Sequence, residues 1–136
     1  MISPTLDSLR IFLHLMGVAV WIGGQIVLAG IVPSLRSVAP EAMKTVAQGF
    51  ARIAWPAFIV VVFTGMWGLG AVDMADESSQ YMVTFALKML LVGVAVIATL
   101  IHSQATSKAA KGIGGAASLL TSLLAAFAGI LMSHVG

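Results

Sequence analysis

Hydrophobic residues form four long continuous runs, and the polar residues lie mostly in the short stretches between them. The runs cover about residues 9–32, 53–72, 81–101 and 113–135. A helix needs about 20 predominantly apolar residues to cross a bilayer, and each run is long enough. Strands of a membrane barrel would instead show short alternating segments. The pattern predicts an all-α integral membrane protein, an antiparallel four-helix bundle with short connections.

The composition places the chain in the same class. Of its 136 residues, 60% are hydrophobic and 9% are charged, and the mean hydropathy is +1.05. The four runs leave no room for a soluble head, so we expect a single transmembrane domain. The absence of cysteine excludes disulfides, thiolate metal sites and iron–sulfur clusters. Basic residues are few and lie in short connections, so nucleic acid is not an expected partner.

The charges of the connections predict the orientation in the membrane. The first connection, about residues 33–52, has a net positive charge, the second is acidic and the third is basic. The residues concerned are Arg36, Glu41, Lys44, Arg52, Asp73, Asp76, Glu77, Lys108 and Lys111. Because positive loops stay in the cytoplasm, both termini and the acidic connection are expected on the extracytoplasmic side. Pro40 followed by Glu41 indicates a helix start within the first connection.

Four ionisable residues lie inside the runs or at their ends, namely His14, Lys88, His102 and His134. A charge or imidazole in hydrocarbon costs several kcal/mol unless it has a partner, so such residues are functional candidates. The predicted orientation puts His14, Lys88 and His134 in the outer third of the membrane and His102 at the opposite side. Structural alternatives remain open: His14 packing between helices, Lys88 extending to lipid headgroups, and His134 exposed at the interface.

Two helical faces are expected to point towards the protein interior. His14, Trp21 and Gln25 share one face of the first helix, whereas Thr84, Lys88, Thr99 and His102 share one face of the third. In the fourth helix, small residues recur every four positions at Thr121, Ala125, Gly129 and Ser133. Small residues at such spacing allow helices to approach closely.

The histidines and methionines suggest two kinds of bound metal. Met16 and Met132 stand two residues from His14 and His134, respectively, and thioether with imidazole suits Cu(I). Methionine is also a common filler of apolar cores, and residues two apart on a helix do not face the same way. Alternatively, His14 and His134 are axial ligands of a b-type haem, with Lys88 near its propionates.

Three stretches resemble conserved blocks of the CopD-like (copper resistance D domain) membrane proteins. They are His14 to Gly24 with Trp21 and the glycine pair, Phe50 to Pro56 followed by Thr64-Gly65, and Tyr81 to Leu90 with Lys88. The resemblance covers about residues 10–100 and implies a multi-span bacterial inner-membrane protein associated with copper uptake or tolerance.

A more distant similarity is to the HemJ-type protoporphyrinogen oxidases, which are linked to haem b. His14 and Lys88 would take the positions of that enzyme's first-helix histidine and third-helix lysine. The arginine and histidine that usually close its first span are not clearly present here, and His102 follows Lys88 at a greater distance than in the enzyme.

Three functions are therefore open. The first is a CopD-like protein that handles copper, as a homo-oligomer or with a partner; the second is a b-type haem protein that carries electrons or acts as an oxidoreductase. The third is a cofactor-free accessory subunit of a larger membrane complex. Soluble-enzyme motifs such as a P-loop, a catalytic triad or a paired-carboxylate site are absent from the sequence, which favours a role without catalysis.

Overall fold

The computed structural model describes residues 3–70 and 77–134, except for the side chain of His134. The described residues form four long helices joined by short connections: α1 (Leu6–Val38), α2 (Pro40–Gly70), α3 (Ser79–Gln104) and α4 (Lys108–His134). All four are long and apolar enough to cross a membrane. The all-α class of the predicted four-helix bundle is confirmed, and the chain is a multi-pass membrane protein.

Contacts divide the chain into two units, Met1–Asp73 and Met74–Gly136. The first contains the antiparallel pair α1 and α2, here called the N-terminal hairpin. The second contains α3 and α4, the C-terminal hairpin. Each has an apolar outer surface, where residues such as Phe63 and Val83 are about two-thirds exposed, as expected beside lipid. The single four-span domain stays a prediction.

The first connection differs from the sequence-based expectation. Helix α1 starts at the Thr5 cap, contains a π-helical turn at Ala19–Gly23, and continues through Pro33 to Val38. The turn is at Ala39, whose φ of −148° and ψ of 67° are not helical. A residue before proline is disfavoured in a helix, and Ala39 precedes Pro40. Most of the predicted connection over residues 33–52 is therefore helical, with its turn at Ala39, and the helix start predicted at Pro40 is confirmed.

Close packing of α1 against α2 centres on small and aromatic residues. Gly17 lies over Ala57 and Val61, so closely that a Cβ atom at position 17 would be 2.9 Å from the Ala57 carbonyl oxygen. One turn further along, the ring of Trp21 is buried against α2. The face of α1 that carries His14 and Trp21 therefore points towards α2, as its spacing predicts.

The C-terminal hairpin is held by a stripe of small residues. Its buried members are Ala95, Ala98, Gly114, Ser118, Ser122, Ala125 and Ala128. The Thr99 and Ser118 hydroxyl oxygens are 2.5 Å apart across the interface. The predicted face of α3 does pack on α4. On α4 the contact is partly different from the prediction, because Ser118 and Ser122 take the buried positions while Thr121 bonds to its own helix and Ser133 is exposed.

Candidate functional site

His14 lies in the N-terminal hairpin on the face of α1 that packs against α2. The ring is half-buried, and its Nδ1 atom is 2.9 Å from the Thr64 hydroxyl oxygen on α2. Its Cε1 atom lies 3.7 Å from where a Cβ atom of Gly65 would be. A Cβ atom at position 65 would therefore be in ordinary van der Waals contact with the imidazole, which places the ring directly beside α2.

The other contacts of Thr64 determine which residue is the donor in its hydrogen bond with His14. The residue is 1% exposed, and its hydroxyl oxygen is 2.6 Å from the Val60 carbonyl and 3.1 Å from the Val61 carbonyl. Threonine in a helix commonly donates its single proton to a carbonyl one turn earlier. Thr64 then accepts a hydrogen bond from Nδ1–H of His14. This bond orients the ring and selects the tautomer in which the proton is on Nδ1 and the lone pair is on Nε2.

Arg10 is a member of this site that the sequence analysis did not single out. It precedes His14 by four residues, so the two side chains lie on one face of α1, about 6 Å apart along the helix axis. A Cβ atom at Gly68 on α2 would be 2.7 Å from an Arg10 guanidinium nitrogen. The Arg10 side chain is 20% exposed and pairs with Asp7 at 3.3 Å. The guanidinium of Arg10 thus occupies the space that a side chain at Gly68 would take.

Aromatic rings close the interface on the other side of Gly17. The Trp21 ring lies 4.6 Å from the Phe58 ring and 5.4 Å from the Trp55 ring, measured between centroids. Trp21 sits within the π-helical turn of α1, and such turns are frequent near functional sites. The Trp21 carbonyl accepts a hydrogen bond from the Gln25 amide at 3.0 Å. These rings fix the spacing of α1 and α2 below His14.

The other predicted ligands are spread over both hairpins. Met16 is 50% exposed on α1, on a different side of the helix from His14. Met132 is half-buried on α4, and the His134 side chain lies outside the described part of the chain. Within residues 3–70 and 77–134, no group of three His, Cys, Asp or Glu residues forms a metal site. The convergence of His14 with Lys88 and His134 stays a prediction.

Lys88, which is half-buried, and His102, which is exposed, both contact α4 within the C-terminal hairpin. The Lys88 ammonium lies 2.9 Å from where a Cβ atom of Gly129 would be. His102 lies near the other end of α3, where its Nδ1 is 2.6 Å from the Lys111 carbonyl oxygen and its ring lies over Gly115. The His102 ring therefore donates to the first turns of α4, which is a packing role.

Comparisons with protein-family models, curated proteins and solved structures give no match to this chain.

Proposed function

We propose that the protein is a CopD-like membrane protein that binds Cu(I) at His14 during copper uptake or tolerance. The observation that carries the proposal is the 2.9 Å hydrogen bond between His14 Nδ1 and Thr64. Metal-ligating histidines typically donate their second ring nitrogen to such a partner, which fixes the ring and its tautomer. An imidazole held in this way in a membrane-length helix suits metal ligation better than a role in helix packing alone.

The remaining ligands are proposed to be thioether and imidazole groups. The sequence predicts Met132 and His134, near the end of α4, as further copper ligands, and imidazole with thioether is a set that Cu(I) accepts. Met16 lies on a different side of α1 from His14, so we expect it to contribute less to the same ion.

The positions of the basic residues support entry of copper from the extracytoplasmic side. In the N-terminal hairpin, Arg36 and Lys44 are exposed beside the Ala39 turn, at the opposite end from His14. In the C-terminal hairpin, Lys108 and Lys111 are exposed at the start of α4, at the opposite end from Lys88. Because basic ends remain in the cytoplasm, the His14 and Lys88 ends face outwards, and we propose that both termini do so in a bacterial inner membrane.

The first test is the metal content of purified protein. We expect wild-type protein, loaded with Cu(I) under reducing conditions, to retain copper through detergent exchange, and His14→Ala to lose at least about tenfold in affinity. His102→Gln is the matched control, since it removes the other described imidazole but can still donate to the Lys111 carbonyl. Elemental analysis measures the copper content of each protein, and competition with a chelator measures its affinity. Equal copper in wild type and His14→Ala would exclude His14 as a ligand.

A b-type haem is the second candidate, and Arg10 is the observation that favours it. A guanidinium one turn from an imidazole on the same helix face suits a group with both an iron and carboxylates, because arginine pairs with carboxylates in a bidentate fashion. An absorption spectrum of the same preparation separates the two candidates. If wild-type protein shows a Soret band and His14→Ala abolishes it, the group bound at His14 is haem and not copper. The copper-loading test described above is then expected to fail.

Thr64 provides an independent test of how His14 is held. Thr64→Val keeps the side-chain shape but removes the acceptor for Nδ1–H, so we expect metal affinity to fall about 10- to 100-fold, as for other partners of metal-ligating histidines. Thr64→Ser retains the hydroxyl and should restore most of the affinity. Chelator competition on all three proteins measures the effect. If the serine variant behaves like the valine variant, the hydroxyl does not orient the ring.

A further inference from the structure

The interface between α1 and α2 is closed on the side of His14 that faces the turn of the N-terminal hairpin. A Cβ atom at Gly17 would be 2.7 Å from a Val61 methyl carbon and 2.9 Å from the Ala57 carbonyl oxygen, so the two helices are in direct contact there. The buried ring of Trp21 fills the next turn. An ion that moves along the interface to His14 must therefore arrive from the end at which α1 starts, here called the outer end.

Arg10 lies on this approach, one turn nearer the outer end than His14 and on the same face of α1. One guanidinium nitrogen lies 2.7 Å from where a Cβ atom of Gly68 on α2 would be. The Nε and Nη2 atoms both donate to a single carboxylate oxygen of Asp7, each at 3.3 Å. The Arg10 side chain, which is 20% exposed, thus spans from α1 to α2. A cation stands between His14 and the outer end.

The ion pair between Arg10 and Asp7 is one that another anion can replace. Charge-assisted hydrogen bonds are commonly about 2.7–2.9 Å long, and the strongest arginine pairs engage both carboxylate oxygens. Here both bonds are longer and end on one oxygen. The Asp7 side chain is 67% exposed, and ion pairs of exposed carboxylates are weak. An incoming anion can therefore take the place of Asp7 at little cost.

We propose that Arg10 determines the substrate class of the site, admitting Cu(I) bound to an anionic carrier ligand and repelling bare cations. This inference rests on the proposed binding of copper at His14. The guanidinium lies within about one helical turn of the imidazole, where like charges repel strongly in a medium of low dielectric constant. A negatively charged complex is attracted instead, and its anionic group pairs with Arg10 in place of Asp7.

The transfer itself is a ligand exchange. The bond between copper and the carrier ligand breaks as the bond between copper and the His14 imidazole forms. Copper remains Cu(I), no electron is transferred, and the carrier ligand leaves with its own charge. Arg10 contributes by holding the anionic group of the carrier during this exchange and does not bind the metal.

Rates of copper transfer from two Cu(I) donors to the full chain in detergent test the role of Arg10. The donors are the cationic acetonitrile complex and the anionic bicinchoninate complex, and the measured quantity is the ratio of the anionic to the cationic rate. We expect Arg10→Gln to lower this ratio at least about tenfold, since charge steering changes association rates by such factors. Arg10→Lys should keep most of the ratio. Arg36→Gln is the matched control, because it removes the same charge from the other end of α1, and it should keep the wild-type ratio.

Asp7→Asn should change the ratio in the opposite direction. It removes the carboxylate that competes for Arg10, so the anionic donor should react faster and the cationic donor more slowly. Because Asp7 is exposed, this variant provides the test even if Arg10→Gln does not fold. Added salt should bring the ratios of all variants together, because it screens exposed charges.

The proposal is overturned if Arg10→Gln or Asp7→Asn folds and keeps the wild-type ratio of rates. When the final copper content still depends on His14, that result removes only the role of Arg10. Equal final copper content in wild type and His14→Ala is a different outcome, which excludes His14 as a ligand and overturns this proposal with it.

Discussion

Gly114→Ala is expected to push α4 away from α3 and to destabilise the C-terminal hairpin by about 3 kcal/mol, the upper range for overpacking a closely fitted interface. A Cβ atom at Gly114 would lie 2.9 Å from the His102 nitrogen and 3.1 Å from both the His102 Cα and the Ala98 carbonyl oxygen. All three are backbone atoms, which cannot rotate aside. The helices must therefore separate.

Disulfide trapping measures this separation directly, because the natural chain contains no cysteine. The Thr99 and Ser118 hydroxyl oxygens are 2.5 Å apart, so cysteines at these two positions should oxidise readily to a disulfide. Adding Gly114→Ala to this pair should slow disulfide formation strongly and lower the detergent concentration at which the helices unfold.

Gly112→Ala is the matched control, two residues earlier on the same helix. No atom outside its own helix lies within 4 Å of a Cβ atom at Gly112. Alanine is a better helix former than glycine by about 0.5–1 kcal/mol, so this variant should be as stable as the parent protein or slightly more so. Equal trapping rates for the alanine variants at positions 112 and 114 would contradict the close helix contact.

The number and class of the helices follow from the sequence because hydrocarbon imposes a length and an apolar surface. The ends of the helices do not, as Pro33 and Pro40 illustrate. Both are prolines near basic residues, yet α1 continues through Pro33 and the chain turns at Ala39. Neighbouring helices, side chains and local adjustments can compensate for the hydrogen bond that a proline removes from a membrane helix. A local pattern does not identify which proline ends the helix.

The contact face of α4 was predicted only in part for a geometrical reason. A strict four-residue spacing advances about 40° per step around a helix of 3.6 residues per turn, so Thr121, Ala125, Gly129 and Ser133 drift across the surface. The buried positions mix spacings of three and four, as in Ser118, Ser122, Ala125 and Ala128. Because α4 is rich in small residues on several sides, its composition alone does not select one face.

The residues of the candidate site are also only partly predictable from the sequence. His14 stands out in the sequence because an imidazole in an apolar run is costly. Thr64 does not, since its contact with His14 joins residues 50 positions apart and requires the packing of α1 on α2. Arg10 does have a signal in the sequence, its four-residue spacing from His14 on the same face of a helix.

The second large effect is expected for Gly17→Ala, which should destabilise the N-terminal hairpin by about 3 kcal/mol and weaken the proposed metal binding at His14 as well. A Cβ atom at Gly17 would be 2.7 Å from a methyl carbon of Val61 and 2.9 Å from the Ala57 carbonyl oxygen. The methyl group can rotate, but the carbonyl cannot. Because Gly17 follows His14 by three residues on the same face of α1, displacing the helix also lengthens the bond to Thr64.

Tryptophan fluorescence separates this loss of packing from the loss of a ligand. The three tryptophans, Trp21, Trp55 and Trp67, all belong to the N-terminal hairpin, and Trp21 is 5% exposed. Gly17→Ala should shift the emission to longer wavelength and reduce metal binding together, whereas His14→Ala should reduce metal binding with the emission unchanged. Gly30→Ala, which meets no atom within 4 Å, should change neither. Native emission and full metal content in Gly17→Ala would show that α1 and α2 are not as close as described, and the orientation of His14 by Thr64 would lose its structural basis.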